Sequence, residues 1–285
     1  MEVEITESQS SRLDEYVALY GVCFPKAVKL QRDYLSWQYF GNPDGHAVGA
    51  DAICDGKVVG QVIAIPGTYM LKGRPARGLV AVNVAVHPSF QGKHLFKKLG
   101  LKMCEYGAQK GYEFVIGIAN AVATPGWTRQ MKFKLLGPLS AMVGFGPLNR
   151  RACERAAASA ELSRVWTRES LAWRLANPVN RARASITNDG AMIVSAATGT
   201  VGLRATAVLP SALHDGLPAT GTSWLPHLNV FLGSLPGYHF GATYFAVPDR
   251  AKPSPLNLVY KNLIDPVGQL SLDQCFITFL DFDAF

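Results

Sequence analysis

The stretch Gly78–Phe96, GLVAVNVAVHPSFQGKHLF, fixes an order of strand, loop and helix near the centre of the first half of the chain. Val80, Val82, Val84 and Val86 alternate with small or polar residues at the period of a strand, and Pro88, which cannot continue a hydrogen-bonded ladder, ends it. Ser89 to Lys93 reads as a loop. From His94 the spacing turns helical, with Leu95, Leu99 and Met103 at intervals of four, until Gly111 stops the helix after Lys110. A strand that delivers the chain into a helix N-terminus presents unpaired N–H groups and the positive end of the helix dipole, which suits an anionic group such as a phosphate. Gly92 lets a ligand approach the backbone and Lys93 adds a cation. The same pattern also describes a plain strand-to-helix connection.

A chain of 285 residues is long enough for one large domain or two ordinary ones, and two are expected here. With 48% apolar and 17% charged residues the composition is globular, and no apolar run is long enough to span a bilayer. The opening MEVEITESQS has neither the basic region nor the apolar core of a secretory signal, so a cytoplasmic location is expected. Cysteines 23, 54, 104, 153 and 275 are scattered without metal-ligand or redox spacing, which predicts reduced thiols and no metal. Much of the net charge of +7 is local. Arginines 150, 151, 155, 164, 168, 174, 181 and 183 face only Glu154, Glu161 and Glu169. Few aromatic residues lie among them, so a base-stacking surface is not suggested; a solvated helical face is expected, and no nucleic-acid or membrane partner.

Residues 1 to 7 alternate as a strand, and Ser8–Phe24 and Leu30–Phe40 read as helices, the second closed by the turn cluster Gly41-Asn42-Pro43-Asp44-Gly45. Ala47–Ile53 and Lys57–Met70 are strands joined by Asp55-Gly56, a hairpin signal. Beyond the helix of 94 to 110, Phe114–Ala119 is a strand, Pro125–Gln130 a short helix and Phe133–Phe145 a strand. Residues 147 to 167 read as a helical connector. RDYLSWQYFGNP at 32 to 43 then returns as RESLAWRLANP at 168 to 178, with Arg, Leu and Trp in register and Asn-Pro closing both. Strand-like stretches follow at 182–187, 191–197 and 200–209, so the second half reads as a repeat of the first. Trp224–Leu235 reads as a helix, Tyr238–Val247 as extended and Cys275–Leu280 as a last strand before the closing DFDAF.

The central stretch resembles the GNAT acyltransferase superfamily, whose signature is a strand ending in Val-x-Pro, then Gln or Arg, two residues, Gly, one residue, and Gly or Ala. Here Val86-His87-Pro88 is followed by Gln91-Gly92-Lys93-His94-Leu95-Phe96, with His94 and Phe96 at the glycine positions. The order of elements up to about residue 146 resembles that fold as well. The resemblance implies an α+β, mixed-sheet architecture of tandem GNAT-like domains, each a mostly antiparallel sheet flanked by helices. Their bounds would be 1–146 with the acyl-CoA site, 147–165 as connector, and 166–285 as a degenerate copy without the loop. It implies that the amides of Gln91, Gly92, Lys93, His94, Leu95 and Phe96 hold the pyrophosphate of acetyl-CoA or another acyl-CoA.

Acyl transfer from a thioester to an amine requires a polarised carbonyl, a deprotonated amine and a neutralised thiolate. The family positions for the backbone donors are Val84, Ala85 and Val86, with Asn83 marking a bulge or simply facing solvent. His87 is the candidate base by type, and also fits a surface position. Asn120 either holds the pantetheine or the amine, or caps the next turn. Phe96 and Trp127 either shape an acyl pocket or pack the core, and the tryptophans Trp37 and Trp173 read as core. The family's tyrosine acid falls on Thr128, and Lys132 stands at the glycine of the last motif. His227 and His239 qualify only if the second half folds over the site. Tandem chains closing in Asp-aromatic-Asp resemble acyltransferases of nucleotide-linked amino sugars in surface-polysaccharide pathways, which makes such a small amine the expected acceptor. The alternatives are a degenerate binding module and a transferase using charged tRNA. The oligomeric state is not readable.

Overall fold

A computed structural model describes residues 2–186, 191–215, 228–248, 250, 252, 254–264 and 268–282. It is a mixed α/β fold of open sheets flanked by helices, divided into two compact units, each discontinuous in sequence. The first comprises Met1–Gly67, Arg77–Leu135 and Val259–Val267; the second Thr68–Ala76, Leu136–Leu258 and Gly268–Phe285.

In the first unit β1 (Glu4–Glu7) is followed by α1 (Leu13–Cys23) and α2 (Arg32–Phe40). Leu13, Tyr16, Leu19 and Tyr20 form the buried stripe of α1, and Asp14 and Glu15 sit in its first turn, where the helix dipole favours acids. Three strands come next: β2 (Val48–Cys54), β3 (Lys57–Leu71) and β4 (Arg74–Val86). Asp55 and Gly56 turn β2 into β3 with φ of 48° and 74°, the paired positive values of a tight hairpin. Both faces of β2 and most of β3 are buried, so these strands read as apolar runs rather than as alternation. After the loop come α3 (Leu95–Gln109) and β5 (Phe114–Ala119). The strand order is β1, β2, β3, β4, β5, and beyond β5 lies β14 (Asn257–Asn262), supplied by the distant end of the chain. Tyr260 stacks on Phe114 with centroids 5.6 Å apart, and the Leu263 N–H donates to the Glu113 carbonyl at 2.8 Å.

Gly78 on β4 sets the spacing of this core. A Cβ there would lie 2.3 Å from the Phe114 ring, which is fully buried and held by Tyr260. Gly78→Ala is therefore expected to cost about 1–3 kcal/mol, the usual range for overpacking. Equilibrium urea unfolding measures it, and a variant as stable as the wild type would mean that the ring has room to move.

From the end of the first unit's middle segment the chain runs through β6 (Lys134–Pro138) into the second unit, with β7 (Ser140–Phe145) and α4 (Arg150–Ala158), whose first turn is capped by Asn149 Oδ1 accepting from the Ala152 N–H. The single strand expected over 133–145 is thus two. Where a helix is expected through 147–165, α4 ends at Ala158 and β8 (Leu162–Val165) is a strand, antiparallel to Thr68–Leu71 and parallel to β15 (Cys275–Phe276). Then α5 (Arg168–Leu175), β9 (Arg183–Ile186), β10 (Met192–Ala197), β11 (Leu203–Leu209), β12 (Leu228–Gly233) and β13 (Tyr244–Ala246) follow. The second sheet runs β13, β7, β12, β11, β10, β9, with β11 and β12 parallel. The helix expected over Trp224–Leu235 is corrected: residues 228–233 are a strand held on both sides by β11 and β7, while Trp224 and His227 lie outside the described residues. Extended chain expected over 238–247 reduces to β13, and the last strand to two residues. Asp283 and the two residues after it also lie outside the described residues.

The two copies of the repeated helix share their ending. Asn42 Oδ1 accepts from the Asp44 N–H at 3.1 Å, and Asn177 Oδ1 from the Val179 N–H at 2.9 Å, both asparagines being buried.

Candidate active site

Strand β4 pairs with β5 in parallel only from Gly78 opposite Phe114 to Ala81 opposite Gly117. Beyond that point the two strands part, although β4 continues to Val86 and β5 to Ala119. The alternation of β4 breaks at the same place. Ala81, Val84 and Val86 pack with the α3 side of the sheet, while Val82 and Ala85 pack against the α1 and α2 side. Asn83 also turns to α2, so Val82 and Asn83 point the same way, as at a bulge. The His87 N–H donates to the Val59 carbonyl on β3 at 2.9 Å. Counting back by the period of two, the N–H groups of Val84 and Val86 face the opposite edge, which β5 has left. The Ala85 N–H faces β3.

The loop after β4 is built by local bonds. Pro88–Phe90 form one tight turn, the Gln91 side chain donates to the Val86 carbonyl at 3.2 Å, and Gly92 has φ 75°. Lys93 lies over the Phe90 ring, 4.9 Å from its centroid. His94 precedes α3 with φ 57°, the left-handed conformation that glycine adopts most easily. Lys132, at the other motif's glycine position, has φ 61°. Phe96 is helical, where glycine would serve space rather than conformation. No side chain caps α3, which leaves the first-turn amides from Leu95 onward available to an anion. Gln91 to His94 are exposed, Leu95 is buried and Phe96 half-buried.

Phe96 meets Trp127 edge to face at 5.5 Å, and Trp127 meets Phe133 at 4.8 Å. Trp127 is buried, so these rings are packed into the core beside the α3 N-terminus. His87 Nδ1 accepts from the Ser89 N–H at 3.3 Å, which leaves the ring proton on Nε2. Asn120, exposed just past β5, accepts from the Ala123 N–H through Oδ1 at 2.8 Å and so caps the following turn. The Thr128 hydroxyl donates to the Thr124 carbonyl at 2.9 Å. Asn83, Val84, Val86, His87, the loop and Asn120 thus all gather where the parallel pair opens. His239 belongs to the second unit.

Two groups were not legible beforehand. One is a buried polar chain behind Asn83. Its Nδ2 donates to Gln38 Oε1 at 2.8 Å and to the Tyr39 hydroxyl at 2.7 Å. The Tyr39 and Tyr20 hydroxyls are 2.9 Å apart, Tyr20 donates to Gln61 Oε1, and Gln61 Nε2 donates to Asp51 Oδ1 at 3.0 Å. Ser8 and Tyr16 complete the Asp51 carboxylate, each at 2.6 Å. Burial pushes the Asp51 carboxyl above its ordinary value despite these bonds, and raises the hydroxyls of Tyr16, Tyr20 and Tyr39. The signal for it is a lone Asp and a lone Gln in strands otherwise nearly all apolar.

The other group corrects the solvated-arginine expectation. Arg164 is buried on β8 with its guanidinium 3.8 Å above the Trp166 ring, and Arg174 is buried and donates to the Phe282 carbonyl at 2.8 Å. Arginines 151, 155, 168, 181 and 183 are exposed. Burial pushes the thiols of Cys104, Cys153 and Cys275 up to about 12, which removes them as nucleophiles at neutral pH. Among the described residues no cluster of His, Cys, Asp and Glu is suited to a metal ion, and no helix is long and apolar enough to cross a membrane.

Residues 4–135 match the model of the acetyltransferase (GNAT) domain family. Solved structures share the fold over most of the chain. A GCN5-related N-acetyltransferase from Anabaena variabilis has a TM-score of 0.61 at 9% identity, over 92% of this chain and 73% of that one. A GCN5-related N-acetyltransferase from Kribbella flavida gives 0.55 at 13% identity, over 92% and 72%. A conserved Enterococcus faecalis protein gives 0.58 at 9% identity, over 92% and 73%. No curated protein matches by sequence.

Proposed function

We propose that this protein is an N-acyltransferase that takes an acyl group, acetyl or larger, from coenzyme A. The observation that carries the reading is the wedge where β4 and β5 part after Ala81 and Gly117, with the Val84 and Val86 N–H groups turned into it and the uncapped end of α3 behind it. Backbone donors fixed in that wedge suit the oxygen of a thioester carbonyl, on which negative charge grows as an amine attacks. The Gln91–Phe96 amides and the α3 dipole suit the pyrophosphate. In the reaction the new C–N bond replaces the C–S bond, the amine gives up a proton and the thiolate takes one. Thr128 already donates its proton to a carbonyl, and β3 and β4 carry no carboxylate from Val58 to Val86, so both protons are assigned to water or to His87. Asn120 lies beside the thioester's path but has its Oδ1 committed to the turn.

For the acceptor we propose a small amine, with nucleotide-linked amino sugars as the class to test first. The reading rests on the resemblance to tandem sugar acyltransferases, on the exposed arginines between 151 and 183, and on the shared Asn ending of α2 and α5. The second unit is then a repeat that has lost the loop, and the protein acts in the cytoplasm. A binding module without turnover is the competing reading, favoured by the occupied Thr128 hydroxyl.

Thiol release from acetyl-CoA, measured with nucleotide-linked amino sugars, free amino sugars, amino acids and peptides, separates the two. Amine-dependent release with a product heavier by one acyl group is expected. Coenzyme A at a hundred times its Kd should add about 2.7 kcal/mol of stability, a rise in Tm of roughly 4–5 °C for a chain of this size. Stabilisation without turnover of any amine leaves the binding module; neither effect overturns both readings.

A further inference from the structure

The polar chain behind Asn83 has a direction. An ionised carboxylate only accepts, so Gln61 must present Nε2 to Asp51, and its Oε1 therefore faces Tyr20. Tyr20 spends its one proton on that oxygen, so Tyr39 must donate to Tyr20 and can only accept from Asn83. Asn83 is thereby obliged to turn its NH2 group inward, where both hydrogens are taken, by Tyr39 and by Gln38. Gln38 is held in turn by its Nε2, which donates to the Tyr34 hydroxyl at 3.0 Å. Apart from half-buried Asn83 and Ser8, every side chain in this chain is at most 1% exposed, so the arrangement is fixed by packing as well as by bonding. What remains is Asn83 Oδ1, which takes no hydrogen bond among the described residues and is not sealed from solvent. It sits on β4 at the break in alternation, one residue before the Val84 amide.

We propose that Asn83 is a substrate-binding residue whose Oδ1 accepts a hydrogen bond from the acceptor amine, and that Tyr39, Gln38, Tyr20, Gln61 and Asp51 are positioning residues that hold it in that orientation. The proposal rests on the acyltransferase reading and assigns its acceptor side. An amide oxygen that only accepts matches a primary amine or ammonium, which has hydrogens to donate. One hydrogen of the amine on Oδ1 holds the nitrogen next to the carbonyl polarised by Val84 and Val86.

The test compares Asn83→Ala with Asn83→Asp, using acetyl-CoA and the amine from the thiol-release panel that the wild type acylates fastest. Ala removes the outward oxygen; Asp keeps it and instead removes both inward hydrogens. Asn83→Ala is expected to raise the KM for the amine at least tenfold while the KM for acetyl-CoA stays within twofold. Asn83→Asp keeps an outward oxygen but loses both inward bonds, so it is expected to raise the KM for the amine by less than Asn83→Ala does. If Asn83 only braces β4 through its NH2 group, the Asp variant is at least as impaired as Ala, and that result overturns the proposal, as does a parallel rise of both KM values. Should the Asp variant not fold, Tyr39→Phe takes its place, since it removes one inward partner and leaves Oδ1. A smaller rise than in Asn83→Ala supports the proposal and an equal or larger one overturns it. If the wild type acylates no amine, the acyltransferase reading falls, and this proposal with it, before any variant is made.

Discussion

Gly92→Val is expected to abolish coenzyme binding while leaving the protein folded, with affinity falling more than about 100-fold, which is roughly 2.7 kcal/mol. Gly92 has φ 75°, a value that a β-branched residue almost never adopts. Its Cβ would meet nothing within 4 Å, so valine does no harm to the interior. The strain of about 1–2 kcal/mol per left-handed residue is relieved by moving the loop, and the loop is what carries the amides of Gln91 to His94. The branched side chain also stands where a pyrophosphate has to approach. The measurement is the rise in Tm with coenzyme A, which should vanish while the Tm of the free protein falls by only a few degrees. An undiminished rise would detach this loop from the coenzyme. His94→Gly is the complement, because it keeps the left-handed conformation and removes only bulk, so the rise should be preserved or enlarged.

Asp51→Ala is expected to have the largest effect on stability, because the buried donors of Tyr16 and Gln61 lose their acceptor and each unsatisfied buried group costs about 1–3 kcal/mol. It strands the fully buried Tyr16 hydroxyl and Gln61 amide, while half-buried Ser8 loses its acceptor as well. Asp51→Asn should instead stay within about 1 kcal/mol of the wild type at neutral pH, since a hydrogen bond replaced in kind is nearly neutral. Its Oδ1 can still accept from Ser8 and Gln61, and its NH2 can donate to the Tyr16 oxygen. Tyr16 then gives its proton to the Gln9 carbonyl, already 3.0 Å away. The pH dependence follows from burial, which raises the Asp51 carboxyl above its ordinary 3.8. The folded protein therefore holds this proton more tightly than the unfolded chain. The carboxyl's contribution is fully present below 3.8 and is lost as the pH rises through the folded-state value. That decline should be missing from Asp51→Asn, and urea unfolding at stepped pH measures it. An Asn variant as unstable as Ala would mean that the negative charge itself is needed.

The elements around β4 were legible because each is announced locally. Alternation ends at Pro88, helical spacing begins at His94, and positive φ is written into Asp55-Gly56. β12 was not, because its strand form comes from β11 and β7 on either side, and the segment LNVFLG has no period that separates strand from helix. Arg164 looked like part of a charged surface because charge is usually solvated; stacking on Trp166 beneath the surface cannot be read from spacing. The loop and the strand facing it were named from the sequence. The chain from Asp51 to Asn83 was not, since its members come from β2, β3, α1, α2 and β4 and meet only when both faces of β2 and β3 are covered. Likewise, the left-handed φ of His94 and Lys132 is not written in residues other than glycine.

The place of β14 in the first sheet has a consequence for how the protein is made. A ribosome releases residues up to Leu135 long before Val259–Val267, with Leu136–Leu258 threaded out between them. For all that time β5 has an open edge and Phe114 lacks the ring of Tyr260. An uncovered strand of this kind invites pairing with another nascent chain. The unit that carries the Gln91–Phe96 loop is thus mostly synthesised well before the segment that completes its sheet, so translation speed and chaperone cover between the two bear on the yield of folded protein.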